Sequence, residues 1–201
     1  MQQLFRRIWN RIMNIQPPLL VEQLQEEGFI QKGTGCKIES MQVHIADRTR
    51  PVVNIQMGDN CCIMGTIIIY RAAAKVTIGN NVYIGPGTLL ECTASIEIGN
   101  DVLVSGNCNI IDTNSHSLHS AERVHDTLDW QKGLMYKNWD VVDSAGVCIR
   151  SNCWVGLRAI VLKGVTLEQG TIVGAGSVVT RNSEKFSLIA GNPAKFIKHV
   201  D

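Results

Sequence analysis

The chain has 201 residues, 45% of them apolar but only 5% aromatic, so its core must come from aliphatic and small side chains. Nineteen Lys and Arg against eighteen Asp and Glu leave a formal charge of +1, which argues against the global basic field of a nucleic-acid binder. No apolar run approaches the roughly 18 residues that span a bilayer, so nothing here reads as a transmembrane helix.

Residues 1 to 15 place Leu4, Phe5, Ile8, Trp9, Ile12 and Met13 on one helical stripe and Arg6, Arg7, Asn10, Arg11 and Asn14 on the other, which predicts an amphipathic helix. Pro17-Pro18 ends it, and we treat 1–20 as a separate segment from 21–200. Its expected role is to cap the coil or pack on a neighbouring subunit. The alternative is weak contact with an anionic membrane surface, since three arginines attract lipid only feebly.

The rest of the chain carries a six-residue period that neither a helix nor an alternating strand produces. Met57, Ile63 and Ile69 open it, followed by Ile78, Ile84, Leu90 and Ile96, then Ile98, Val104 and Ile110. After an interruption it resumes at Ile149, Val155, Val161, Leu167, Val173 and Val179, with small or β-branched residues at Cys153, Ala159, Val165, Thr171 and Ser177. An aliphatic corner residue followed by a small one builds a three-sided coil of about 18 residues per turn, each coil burying the inward face of its neighbour. The period slips by three between Ile69 and Ile78 and restarts two residues after Ile96, which predicts small bulges at corners. The expected fold is therefore an all-β parallel β-helix.

Residues 113–146 leave the period and gather His116, His119, His125, Trp130 and Trp139. A long excursion loop from a rigid solenoid is a usual seat of function. Beyond the last hexads, Asn192-Pro193-Ala194 predicts a short C-terminal helix through Val200. The seven cysteines are odd in number and no apolar leader precedes them, so we expect reduced thiols and a cytoplasmic protein, peripheral at the inner membrane face if residues 1–15 touch lipid.

Trp154-Val-Gly, Lys163-Gly-Val, Gly174-Ala-Gly-Ser-Val-Val-Thr and Gly191-Asn-Pro-Ala-Lys resemble the hexapeptide-repeat acyltransferases. Within that family the likeness is to the maltose, galactoside and surface-polysaccharide O-acetyltransferases, over roughly residues 57–200. The resemblance implies a left-handed coil, a homotrimer with sites between subunits, acetyl-CoA as donor and a saccharide hydroxyl as acceptor, as in polysaccharide biosynthesis. Two departures are Arg150, where glycine is common, and Leu157-Arg158 in place of small residues, which narrows the expected groove.

Acetyl transfer to a hydroxyl needs a base for the hydroxyl proton, and imidazole titrates in the right range. His116, following Asp112-Thr-Asn-Ser where the coil breaks, resembles the family's catalytic histidine and is the expected base. Its other nitrogen needs an acceptor, for which a backbone carbonyl or Asp112 are candidates, the carbonyl preferred. Asp112 is placed near the acceptor sugar, with an inward turn role equally ordinary for it. By resemblance Leu157, Ala175 and Thr180 line the donor groove while Arg181 and Lys195 meet the phosphates of the nucleotide. Trp130 and Trp139 are open to two roles, stacking on a sugar or anchoring the excursion.

Rival functions belong to other classes. A γ-carbonic-anhydrase-like zinc enzyme shares this fold but needs three histidines across an interface, and His116 and His119 lack that spacing, so no metal is expected. An acyl-cysteine route through Cys61, Cys108 or Cys153 competes with plain core thiols, and a non-catalytic scaffold competes with any enzyme.

Overall fold

The computed structural model describes residues 21–38, 40–48, 52–132 and 136–200. The amphipathic segment 1–15 and the side chain of Trp130 lie outside the described residues. Three sheets of six, seven and six strands, parallel except for the last strand of the chain, stand as the sides of a prism, and the chain visits them in turn. One side runs from Ile30–Lys32 through Ile55–Met57, Lys75–Ile78, Ser95–Ile98 and Val147–Ile149 to Thr166–Leu167. The second begins at Cys62–Ile63 and contains Tyr83–Ile84, Leu103–Val104, Trp154–Val155 and Ile172–Val173. The third runs from Gln42–Ile45 through Thr66–Ile69, Leu89–Cys92, Asn109–Ile111 and Ile160–Val161 to Val178–Val179.

The residues of the six-residue period are the core. Every one, from Met57 to Val179, is buried, and the register stacks them into columns such as Ile63, Ile84, Val104, Val155 and Val173. Coils after the excursion hold 18 residues, since Val155 pairs with Val173 and Val161 with Val179. Earlier coils are longer: Ile63 pairs with Ile84, Ile84 with Val104, and Ile67 with Leu90. That extra length is the source of the slips in period, and it lies at corners, where the small bulges were expected. Ser95–Ile98 is a continuous strand in which both Ile96 and Ile98 point inward, and the surplus residues sit in turns at 71–73 and 93–94.

The Ile-Gly-Asn steps mark one corner of the prism. The amide of Asp59 donates to Asn80 Oδ1 at 2.7 Å, that of Asn80 to Asn100 Oδ1 at 2.8 Å, and that of Asn100 to Ser151 Oγ at 3.0 Å. Each side chain thus satisfies an amide one coil away, where a turn leaves its donors unpaired. The glycines before Asn80 and Asn100 are dictated by space, because a Cβ on Gly79 would lie 2.4 Å from Asn100 Oδ1 and 2.8 Å from the Gly99 backbone.

The two ends differ from the prism. Near the beginning, helix α1 (Val21–Glu26) buries Val21 and Leu24 against the first coil. At the other end the expected C-terminal helix is corrected: Ala194–His199 is a strand, antiparallel to Ser187–Gly191, which itself continues the second sheet. Pro193 sits in the hairpin turn, and Phe196 and Ile197 have the side chains a strand favours, so the edge pairing outweighs the helix-start pattern. Among the described residues no helix is long and apolar enough to cross a membrane.

Candidate active site

The excursion leaves the corner that follows Asn109–Ile111 and returns at Val147–Ile149. Its ends are zipped together: the Asn114 amide donates to the Asp143 carbonyl, the Ala145 amide to the Asp112 carbonyl, and Thr113 faces Ser144 in an antiparallel bridge. The segment is not the loop expected from its lack of period. It contains helix α2 (Ser120–Lys132), followed by a short 3-10 turn at Trp139–Val141. Ser117 anchors the start of α2 by donating to Glu122 and accepting from the His119 amide, and Arg123 binds the Ser117 and Leu118 carbonyls.

His116 stands on the outgoing limb, its side chain 46% exposed. Its Nδ1 lies 2.7 Å from Asp126 Oδ2, a carboxylate in the middle of α2 that is only 5% exposed. The Lys137 ammonium, fully buried on the returning limb, reaches the same oxygen at 2.6 Å and lies 3.2 Å from Nδ1. An ionised carboxylate only accepts, so the Nδ1 proton and the ammonium both donate to Oδ2. In a neutral ring held this way, the lone pair lies on the remaining nitrogen, Nε2. Burial would push the Asp126 carboxyl up, but hydrogen bonds from Lys137 and His116 and their charge hold it below the ordinary carboxylate range. The stability this contributes is present above the unfolded value of about 3.9 and is lost as pH falls through the folded one.

The orienting acceptor for His116 is thus Asp126, neither a carbonyl nor Asp112, which were the expected candidates. Asp112 is fully buried, and its carboxylate accepts from the Thr93 amide, the Thr93 hydroxyl, the Ala94 amide and the Cys92 thiol. It caps the turn one coil below, the inward turn role that was its other expected reading. His119 and His125 are exposed, while His44 is half-buried on the outer face of the third sheet. Asp126 and Lys137 were not singled out from the sequence: neither lies at a motif spacing from His116, and the excursion has no period to mark inward positions.

Trp139 takes the anchoring role. Its ring packs on Tyr70 at 4.3 Å between centroids, Lys137 Nζ lies 5.1 Å from its centroid, and Arg71 pairs with the neighbouring Asp140. Tyr70 in turn donates to Glu91 Oε2 at 2.6 Å, and burial together with that carboxylate pushes its phenol well above the ordinary range. The limb that carries Lys137 is therefore pinned to the third side of the prism.

The residues expected at the donor groove fall on two corners flanking the third sheet. Thr180 and Arg181 are exposed at the corner from which the excursion leaves, and the Gly164 amide, one coil nearer, binds the Ala145 carbonyl. Leu157 and Ala175 are exposed at the preceding corner, stacked one above the other, with the Gly176 amide donating to the Leu157 carbonyl. Lys195 is exposed beside them, paired in register with Ala190, which abuts Gly174. One chain does not gather all five around His116.

The inward thiols are poor nucleophiles: burial pushes Cys61 and Cys108 up and Cys153 to about 11. Among the described residues no group of three His, Cys, Asp or Glu is placed to hold a metal ion.

No family model matches the chain. It is 31% identical over 128 residues, 64% of this chain and 45% of the other, to a Schizosaccharomyces pombe protein provisionally named an acetyltransferase. It is 25% identical over 145 residues, 72% of this chain and 64% of the other, to the galactoside O-acetyltransferase of Escherichia coli K12. The chain spans about half the length of the first curated relatives it matches. Among solved structures it resembles AntD, an N-acyltransferase from Bacillus cereus in complex with dTDP-4-amino-4,6-dideoxyglucose and coenzyme A. The TM-score there is 0.67 at 20% identity, over 93% of this chain and 92% of that one. It also resembles a hexapeptide-repeat acetyltransferase from Vibrio cholerae bound to acetyl coenzyme A, with TM-score 0.53 at 18% identity over 90% and 75% of the two chains. The buried six-residue columns and the three-sided coil are the parallel β-helix fold that these solved structures share, and the sequence relatives are named as acetyltransferases.

Proposed function

We propose that this protein is an acetyl-CoA-dependent O-acetyltransferase that acts on a hydroxyl of a saccharide, with His116 as general base. The observation that carries the reading is the half-exposed imidazole whose Nδ1 is bound to a buried carboxylate, leaving Nε2 open. The acceptor hydroxyl gives its proton to Nε2 as its oxygen attacks the thioester carbonyl. The carbon–sulfur bond then breaks, and the proton passes to the departing thiolate of CoA. No acyl-enzyme forms, in keeping with inward thiols whose reactivity is suppressed by burial.

The donor fits the exposed residues by charge and shape: Arg181 and Lys195 are cations suited to phosphates, and Leu157, Ala175 and Thr180 offer exposed corners to the pantetheine arm. Because they lie on two corners, the slot we propose is shared by two copies in a homotrimer. One copy brings the His116 corner and the other the Leu157 corner. The exposed Leu103, Trp154 and Leu157 supply apolar surface for such packing. The galactoside O-acetyltransferase and the sugar-nucleotide complex of AntD support a sugar acceptor.

Thiol release from acetyl-CoA, screened against hydroxyl and amino sugars, tests the proposal. His116→Ala should lower turnover by about 10²- to 10⁴-fold, the usual share of a general base. An unchanged rate removes His116 from that role, turnover confined to amino sugars makes the reaction N-acylation, and no thiol release from any acceptor favours a scaffold.

A further inference from the structure

We propose that Lys137 is a positioning residue for His116, its ammonium fixing the Asp126 carboxylate and cancelling its charge so that the imidazole is oriented without being held protonated. This rests on His116 being the base. A lone buried carboxylate in contact with an imidazole favours the imidazolium, whose Nε2 carries a proton and cannot take another. Here the carboxylate has a second partner. The ammonium is closer to Oδ2 than the imidazole is, at 2.6 Å against 2.7 Å, and both groups of the ion pair are sequestered from water, where charge interactions are strongest. With neutral imidazole the cluster carries no net charge; protonating His116 would leave one positive charge, with the ammonium 3.2 Å from Nδ1.

Of the other described charged groups on these elements, Asp129 and Lys132 pair with each other on α2, and His119 and His125 are exposed. Glu122 and Arg123 of α2 are bound to Ser117 and the Leu118 carbonyl, Tyr70 and Glu91 bind each other, Arg71 pairs with Asp140, and Asp112 caps the turn at 93–94. Lys137 is itself set by the Trp139 ring, so the excursion's two limbs meet at Asp126.

The test is an NMR titration of the His116 ring in the full chain without substrates, with the acidic limb of kcat/KM measured alongside. Lys137→Met should move the ring's midpoint up by about one pH unit, the lower end of what an unmasked neighbouring charge produces. Asp126→Asn, which keeps an acceptor for Nδ1 but leaves the ammonium unbalanced, should move it down. Lys137→Arg should leave it near the wild-type position. Opposite movements support the proposal; a midpoint unmoved in Lys137→Met, or moving the same way in both variants, overturns it. Should Lys137→Met fail to fold, the Asp126→Asn titration decides alone, a midpoint that does not fall being fatal. Because the ring titrates without turnover, an active His116→Ala enzyme would sink the general-base reading while leaving this charge effect separately measurable.

Discussion

Asp112 and His116 are four residues apart and face opposite ways. Asp112 turns into the prism, where two backbone amides and a hydroxyl of the coil below depend on its carboxylate. Asp112→Ala would leave the Thr93 and Ala94 amides without their acceptor, and an unsatisfied buried donor costs about 1–3 kcal/mol. We expect a loss of about 3 kcal/mol in urea unfolding, with the acceptor KM of the surviving folded protein unchanged. A raised KM with wild-type stability would return Asp112 to the acceptor. At this scale His116 stood out in the sequence because it is the histidine at the exit from the coil. Asp126 did not, because a carboxylate in a stretch without period reads as solvated surface until the returning limb is seen to cover it. Lys137 was hidden for the same reason: its only mark in the sequence is its place between Tyr136 and Asn138, and its burial follows from Trp139 packing on Tyr70.

The excursion behaves as an element clamped at three points: the zipped ends at 112–114 and 143–145, the Asp126–Lys137 pair, and Trp139 on Tyr70. Removing the third clamp should free the limb that carries Lys137 without disturbing any coil. Trp139→Ala is therefore expected to lower kcat/KM by up to about 10²-fold, the penalty for misplacing a catalytic group by an ångström or so. Proteases should cut between 113 and 146 faster, while the midpoint for unfolding of the coils stays close to wild type. Full activity with an equally resistant excursion would show that the stacking does not position the site. Helix α2 escaped sequence reading because its apolar residues Val124 and Leu128 face solvent and so do not advertise a core. The C-terminal hairpin escaped for a different reason: a proline early in a short segment suits a helix start and a turn equally, and only the open edge of the second sheet chooses between them.

The whole molecule is a stack in which each coil rests on its neighbours, so its stability is a sum of coil-to-coil contacts and a fault in the middle separates two halves. That order was the most legible feature of the sequence, since six consecutive matches to a period of six are improbable in any other fold, and the columns from Met57 to Val179 are all inward. What periodicity could not show is how tightly the corners mesh. Gly79 sits where a methyl group would strike the backbone of Gly99 at 2.8 Å and displace Asn100 from the amide it accepts from, so that rung of the asparagine ladder depends on one missing Cβ. Gly176, by contrast, has φ +69 and open space around its Cβ position, so asparagine, which tolerates that conformation, should fit there. Gly79→Ala should cost about 1–3 kcal/mol, as overpacking does in a close-packed interior, and Gly176→Asn about 0.5 kcal/mol or less. Chemical denaturation of the two variants side by side checks the ordering. If Gly176→Asn proves the more damaging, backbone conformation and not coil-to-coil contact governs the corners.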